Sequence, residues 1–415
     1  MLKTYRCLIC GAITTDETVY EHKQHHPNLL GYGIMWPDEA AQANLTHSAS
    51  IPVYESAVIA EALGVRRVYI RDEGRNPSGS MKDYLVGRAV TLGLQNGLRC
   101  FTVVSSGNHA VSLAMMTEKF NTQAVVFTPA SSGKLSILGS FTNTTVIGIR
   151  DAIFEDVYNL VSKIDLEGVY NANVSNEDLL PALIPVARDL LSLDPPPTHI
   201  LAGVGNGTYL AGIAFGLERF SAFPLPKVVP VGMKGAFPTE EAFRRKESVC
   251  KYAEFLTDEG EIDAAEGSIA TESYSMPQLV HAMRITSGFP LGGLTNKDLR
   301  EAYLLLARDE NLVAKGAIPE ATGIMSLAAA IRWRTSFSPG DVLLLSFTGH
   351  GAKDIEGIHR LLPSAVAADL KRAASRARPD LVERMSTPTR RKPVLVNRDV
   401  PVETIKDIIS KGGQR

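Results

Sequence analysis

Seven short apolar runs, several of them followed by a longer stretch of helical periodicity, constrain this chain more than any other feature. The runs are Arg67–Arg71, Cys100–Val104, Ala124–Phe127, Thr145–Ile149, His199–Ala202, Val228–Gly232 and Val342–Phe347. Most lack the apolar–polar alternation of a strand with one wet face, so they are expected to be covered on both faces. Asp83–Leu94, Ala110–Lys119, Leu180–Leu191 and Tyr209–Phe220 carry the helical pattern. Strand–helix alternation of this kind builds parallel sheets with crossover helices, an α/β fold class.

Composition narrows the function classes. The 415 residues suffice for two to three domain-sized units. With 43 Lys+Arg against 45 Asp+Glu, the chain lacks the basic excess that phosphate-backbone binding demands, so nucleic acid is not an expected partner. No run of eighteen apolar residues suggests a membrane span, and MLKTYRCLICG has no long apolar core of a secretory signal. Four cysteines are too few for a disulfide framework. A cytoplasmic protein is expected. The charge is uneven: residues 363–415 hold 12 Lys+Arg and 6 Asp+Glu, a net of +6, leaving 31 and 39, a net of −8, for residues 1–362. Within this tail, Thr387–Pro393 reads as a linker. Val402, Ile405, Ile408 and Ile409 have the spacing of a short docking helix, and the tail as a whole is expected to be a solvated appendage or subunit contact.

In open α/β sheets ligands collect outside the carboxyl ends of the strands, and four loops there are unusual. Asn76–Asp83 (NPSGSMKD) follows the first run. A Ser80–Asp83 capping box would open a helix and put Lys82 in its first turn, where the positive end of the helix dipole disfavours an ammonium. A partly buried lysine there has the lowered pKa that Schiff-base chemistry needs. Ser105–His109 (SSGNH) offers an anion-binding turn, with Asn108 as donor and acceptor. Gly203–Thr208 (GVGNGT) has three glycines at alternate positions, freeing the backbone to curl around a phosphate. Its third glycine falls one residue early for the dinucleotide pattern. Thr348–Asp354 (TGHGAKD) ends the last run with a threonine hydroxyl at its mouth, and His350 reads as a satisfied turn histidine.

At the amino terminus, Cys7-x-x-Cys10 is followed by His22, His25 and His26. Two sulfurs and two imidazoles could hold a structural zinc, although the Cys10-to-His22 gap is one residue short of finger spacing.

Together and in this order, the four loops resemble those of the pyridoxal-phosphate enzymes of the tryptophan synthase β fold type, over about residues 45–362, and particularly their threonine synthase-like branch. That resemblance implies two three-layer α/β/α domains with mostly parallel twisted sheets and a cofactor in the cleft between them. The implied division is 1–44 for an N-terminal knuckle, 45–95 with 190–362 for a large cofactor-binding domain, 96–189 for a smaller inserted domain, and 363–415 for the basic tail. It further implies that Lys82 is the Schiff-base lysine and that Asn108 holds the pyridine 3′-oxygen. Gly203, Gly205, Asn206, Gly207 and Thr208 would cradle the cofactor phosphate, and Thr348 would face the pyridine nitrogen. Ser105, Ser106 and His109 would line a substrate-carboxylate site, with Glu320 structural or near the ring. The implied activity is elimination or replacement on an amino acid, foremost O-phosphohomoserine with water to L-threonine and phosphate, in a homodimer. β-Replacement on O-phosphoserine or O-acetylserine, deamination of threonine or serine, and a degenerate ligand-binding paralogue are the alternatives. Lys82, Lys353 and Arg75 are the cations available to a leaving phosphate. The position after Lys82–Asp83 is Tyr84, where threonine synthases usually carry arginine.

Overall fold

The computed structural model describes residues 3–29, 31–38, 50–105, 107–131, 135–162, 164, 166–220, 224–250, 264–268, 272–387 and 391–412. Ser106, part of the Ser105–His109 turn, and residues 388–390 of the expected linker lie outside them.

Three sheets organise the chain. β1 (Thr4–Cys7), β2 (Ile13–Thr15) and β3 (Met35–Pro37) form a small antiparallel sheet in the order β2-β1-β3. The largest sheet contains β4 (Val53–Glu55), β5 (Arg67–Asp72), β10 (His199–Gly203), β11 (Lys227–Met233), β12 (Leu291–Leu294) and β13 (Val342–Phe347). Its order is β12-β11-β10-β13-β5-β4, parallel throughout except where β4 meets β5. The remaining sheet is all parallel, in the order β14-β8-β7-β6-β9. It consists of β6 (Cys100–Val104), β7 (Gln123–Pro129), β8 (Thr144–Ile149), β9 (Val169–Asn171) and β14 (Val394–Val396).

The unpatterned apolar runs behave as expected: every residue of β8, β10 and β13 is buried, because helices cover both faces. The expected helix Leu180–Leu191 is split. Glu177–Leu183 is a 3-10 segment containing Pro181, which has no N–H to donate, and the α-helix starts at Ile184.

The basic tail is not a solvated appendage. Its helix Ser364–Ala377 puts Ala367, Leu370, Ala373 and Ala374 into the core of the large sheet, and Leu381 of the next helix, Pro379–Ser386, joins them. β14 then pairs with β8, and Ile405 and Ile409 of helix Val402–Gly412 pack with Val125, Phe127 and Ile147 of the other sheet. The docking helix read from its spacing is therefore present, but the segments before it are core elements. Their charges misled because the apolar face of Ser364–Ala377 is built largely from alanines.

Candidate active site

The loops after β5, β6, β10 and β13 converge at the carboxyl ends of the strands. Helix Lys82–Gln95 starts at Lys82 itself, after Met81, whose side chain caps nothing. The expected Ser80–Asp83 box is not formed. The Asp83 carboxylate accepts instead from the Ser78 N–H at 2.8 Å and the Ser112 hydroxyl at 2.5 Å, tying the loop to the neighbouring helix. Two backbone hydrogen bonds, which together make an antiparallel bridge, stitch this loop to the one after β13. Ser80 pairs with Gly349 through the Met81 N–H, which donates to the Thr348 carbonyl at 2.9 Å, and the His350 N–H, which donates to the Gly79 carbonyl at 2.9 Å. Lys82 is half-buried; stripping water from its amine pulls the pKa down to about 8, against the opposing pull of the Glu320 carboxylate.

Beside this amine runs a chain of polar contacts that sequence reasoning did not connect. Asn108, first residue of helix Asn108–Lys119, donates its amide to Glu320 Oε1 at 2.5 Å. Its own oxygen accepts from Lys353 Nζ at 2.6 Å. Ser105 uses its hydroxyl oxygen to accept the Gly107 N–H at 3.2 Å. His109 is buried, and its Nε2 lies 2.7 Å from the Ala172 carbonyl, which fixes that nitrogen as the donor. The buried Nδ1 has no partner among the described residues. Burial first and the Lys82 charge second push the His109 pKa down to about 3, so the ring is neutral. His350 is the satisfied turn histidine: its Nδ1 accepts the Ala352 N–H at 3.1 Å, so its Nε2 donates to the Gly316 carbonyl at 3.1 Å.

The glycine loop fits its neighbours closely. A Cβ on Gly203 would lie 2.5 Å from the Thr322 carbonyl oxygen. Gly207 has φ +91°, and a Cβ there would lie 2.6 Å from Leu279 Cδ2. The loop's polar side chains, however, are engaged by the protein. The Thr208 hydroxyl sits 3.1 Å from the Val174 carbonyl and 2.7 Å from Ser275 Oγ, while Asn206 Oδ1 accepts the Tyr274 N–H at 2.9 Å. Ser273 donates to the carbonyls of Gly205 and Asn206, each at 3.0 Å. The hydroxyl of Thr208 and the oxygen of Asn206 are thus used within the protein, as is the Val204 N–H, which donates to the Val231 carbonyl at 2.9 Å. The Ser273–Ser275 clamp carries no motif and sits 68 residues further along the chain, so spacing alone did not find it.

Of the three expected cations, Arg75 stands apart from Lys82 and Lys353. Arg75 is tied to Asp72 at 3.1 Å and to the carbonyls of Ala377 and Lys315, which removes it from a phosphate-binding role. Tyr84 accepts from Arg71 at 3.0 Å; Arg71 also pairs with Glu73 at 2.7 Å, and Tyr209 donates to Glu73 at 2.8 Å. Thr348, directly after β13, is buried.

An amine of lowered pKa, close-packed glycines presenting amides and a buried hydroxyl at a strand mouth match the aldehyde, phosphate and pyridine of pyridoxal phosphate. The fold and site define an α/β enzyme of the pyridoxal-phosphate class. A family model described as "Pyridoxal-phosphate dependent enzyme" matches residues 46–349, and the chain belongs to that family. It is 25% identical over 327 residues to a threonine synthase of Methanocaldococcus jannaschii, covering 76% of this chain and 78% of that one. To a threonine synthase of Methanosarcina acetivorans it is 26% identical over 272 residues, covering 58% and 67%. Solved structures share the fold. A pyridoxal 5'-phosphate-dependent aspartate racemase superposes with TM-score 0.58 at 20% identity, over 72% of this chain and 89% of that one. The processed form of threonine deaminase isoform 2 from Solanum lycopersicum does so with TM-score 0.60 at 17% identity, over 77% and 83%. Among the described residues no helix is long and apolar enough to cross a membrane.

Proposed function

We propose that this protein performs elimination and replacement on an amino acid, and that its reaction is O-phosphohomoserine plus water to L-threonine plus phosphate. The observation that carries the proposal is a chain of contacts from the Lys353 ammonium through Asn108 to Glu320, whose carboxylate acts on the buried Lys82 amine. The two relatives named threonine synthase support it.

Pyridoxal phosphate, when bound, supplies an electron sink for charge developing next to the substrate's Cα. The residues that would hold it are Lys82 at the aldehyde, the backbone amides of Gly203–Thr208 at the phosphate, Asn108 at the 3′-oxygen and Thr348 at the pyridine nitrogen. A neutral hydroxyl at that nitrogen leaves it unprotonated, which restrains full delocalisation and suits elimination. Ser105, Ser106 and His109 would border the substrate carboxylate. Lys82 carries protons: its pKa of about 8 gives a usable fraction of neutral amine near neutrality, able to take the proton from Cα. Lys353 would balance the negative charge of the leaving phosphate; its hydrogen bond to Asn108, at 2.6 Å, supports that role.

Purified protein reconstituted with pyridoxal phosphate and reduced with borohydride should carry the pyridoxyl mass on Lys82. A separate, unreduced portion of the reconstituted protein should release phosphate and form threonine from O-phosphohomoserine. Labelling elsewhere, or no labelling, overturns the assignment of Lys82. Ammonia and 2-oxobutyrate from threonine, without phosphate release from O-phosphohomoserine, would replace the proposed reaction with a dehydratase. Turnover confined to O-phosphoserine or O-acetylserine would replace it with β-replacement.

A further inference from the structure

The amino-terminal sheet brings two cysteines and two histidines to one point. Cys7 ends β1, Cys10 lies in the turn before β2, His22 is in the helix Val19–Gln24 and His26 follows that helix. Their four ligand atoms all lie within 4.8 Å of one another. Cys7 Sγ is 3.6 Å from His26 Nε2, and Cys10 Sγ is 3.4 Å from His22 Nε2. A tetrahedral zinc with ordinary Zn–S and Zn–N bonds has sulfur-to-nitrogen edges of about 3.6 Å. Two independent thiol–imidazole hydrogen bonds would give those two distances but would not require all four atoms to share a centre. His25 is not part of the group; its ring stands 5.8 Å from that of His22.

We propose that Cys7, Cys10, His22 and His26 bind one Zn²⁺, and that this metal holds the clamp on the glycine loop. Two thiolates and two neutral imidazoles make a closed, charge-neutral tetrahedral site with no position left for water, a structural rather than catalytic set. The knuckle it would close is wired to the body. Tyr5 donates to Asp178 at 2.6 Å, and Lys23 pairs with Glu177 at 3.0 Å. The Gly33 N–H donates to the Tyr274 carbonyl at 2.7 Å, and Tyr32 packs its ring 5.1 Å from that of Tyr274. Tyr274 is the residue whose N–H holds Asn206 in the glycine loop at 2.9 Å. A single residue thus joins the knuckle to the loop, and the metal fixes the knuckle half of that joint. Metal binding itself stands apart from the reaction proposed above, because the ligands touch none of its residues.

The test uses the full-length chain. The protein as purified should contain about one zinc per chain. After chelation, titration with Co²⁺ should give thiolate charge-transfer and tetrahedral d–d bands that saturate at about one cobalt per chain. Cys10→Ser, at an exposed position, should lose the thiolate band or shift it sharply, and His25→Ala should leave it intact. Absence of zinc together with absence of a cobalt spectrum overturns the site. Loss of the spectrum in His25→Ala overturns the ligand set. Amide exchange on the wild-type protein tests the clamp without any variant. Removing the metal should speed exchange in residues 203–208 and 272–276 by at least about tenfold. Unchanged exchange there, with cobalt binding intact, overturns the clamp while leaving the metal site standing.

Discussion

The guanidinium of Arg378 donates to the Asn76 carbonyl at 2.9 Å, linking the basic tail to the loop that presents Lys82. The same group reaches the carbonyls of Gly74 and Pro77 and is held by Asp380 at 2.7 Å. Leu381 closes over the turn so tightly that a Cβ on Gly79 would lie 2.5 Å from its Cδ1. The positive charge of the tail is thus spent partly inside the molecule, on three carbonyl oxygens, of which that of Asn76 also accepts the Gly79 N–H at 2.8 Å.

Arg378→Ala should cost about 2–4 kcal/mol in stability, because the Gly74 and Pro77 oxygens lose the guanidinium donor and Asn76 keeps only the Gly79 N–H. It should also weaken retention of pyridoxal phosphate, since the loop carrying Lys82 loses its anchor. Denaturant unfolding and cofactor retention on gel filtration check both. Arg378→Lys should recover only part of the loss, because an ammonium cannot span the three acceptors as the planar fork does.

Lys82 sets a pH dependence whose sign is fixed by burial. Its pKa falls from 10.5 to about 8, so the neutral amine becomes available as pH rises through about 8. The rate at which the apoprotein acquires a borohydride-reducible pyridoxal adduct should rise with that midpoint. The Glu320 carboxylate pulls the other way, so Glu320→Gln should move the midpoint to lower pH. A depressed lysine pKa also destabilises the fold wherever the amine must be charged. Apoprotein stability should therefore climb between about pH 8 and the unfolded value of 10.5, and Lys82→Met should flatten that slope.

Gly207→Ala should lower stability by about 1–3 kcal/mol and cofactor affinity by at least about tenfold, read by thermal melting and by spectroscopic titration. Its positive φ disfavours any side chain, and the added methyl meets Leu279.

Ile405→Ala should cost about 2–4 kcal/mol, because Ile405 is fully buried between the terminal helix and the β14-bearing sheet. Urea denaturation measures it. A loss under about 0.5 kcal/mol would return the helix to the status of a solvated end.

The strands were legible because burial on both faces writes itself as an unbroken apolar run; β6 and β13 have the bounds their composition suggests. The loops were legible because each packs its chemistry into about eight consecutive residues. What escaped was assembled by the fold: Glu320 meets Asn108 across 212 residues, and Arg378 meets Asn76 across 302. The Ser80–Asp83 box failed for a related reason. Its spacing was right, but Ser78 and Ser112 outcompeted Ser80 for the carboxylate, and Ser112 is 29 residues away.

The pairing of β14 with β8 and the anchoring of Asn76 by Arg378 have a consequence for biosynthesis. The loop bearing the reactive lysine is made early, yet the residue that anchors it emerges from the ribosome 302 residues later. Until then the nascent chain exposes an unfinished sheet edge at β8 and an unanchored Asn76–Asp83 turn. Synthesis must therefore pass Arg378 before the Asn76–Asp83 turn can be completed, and a chain cut short of that residue keeps the turn without its anchor.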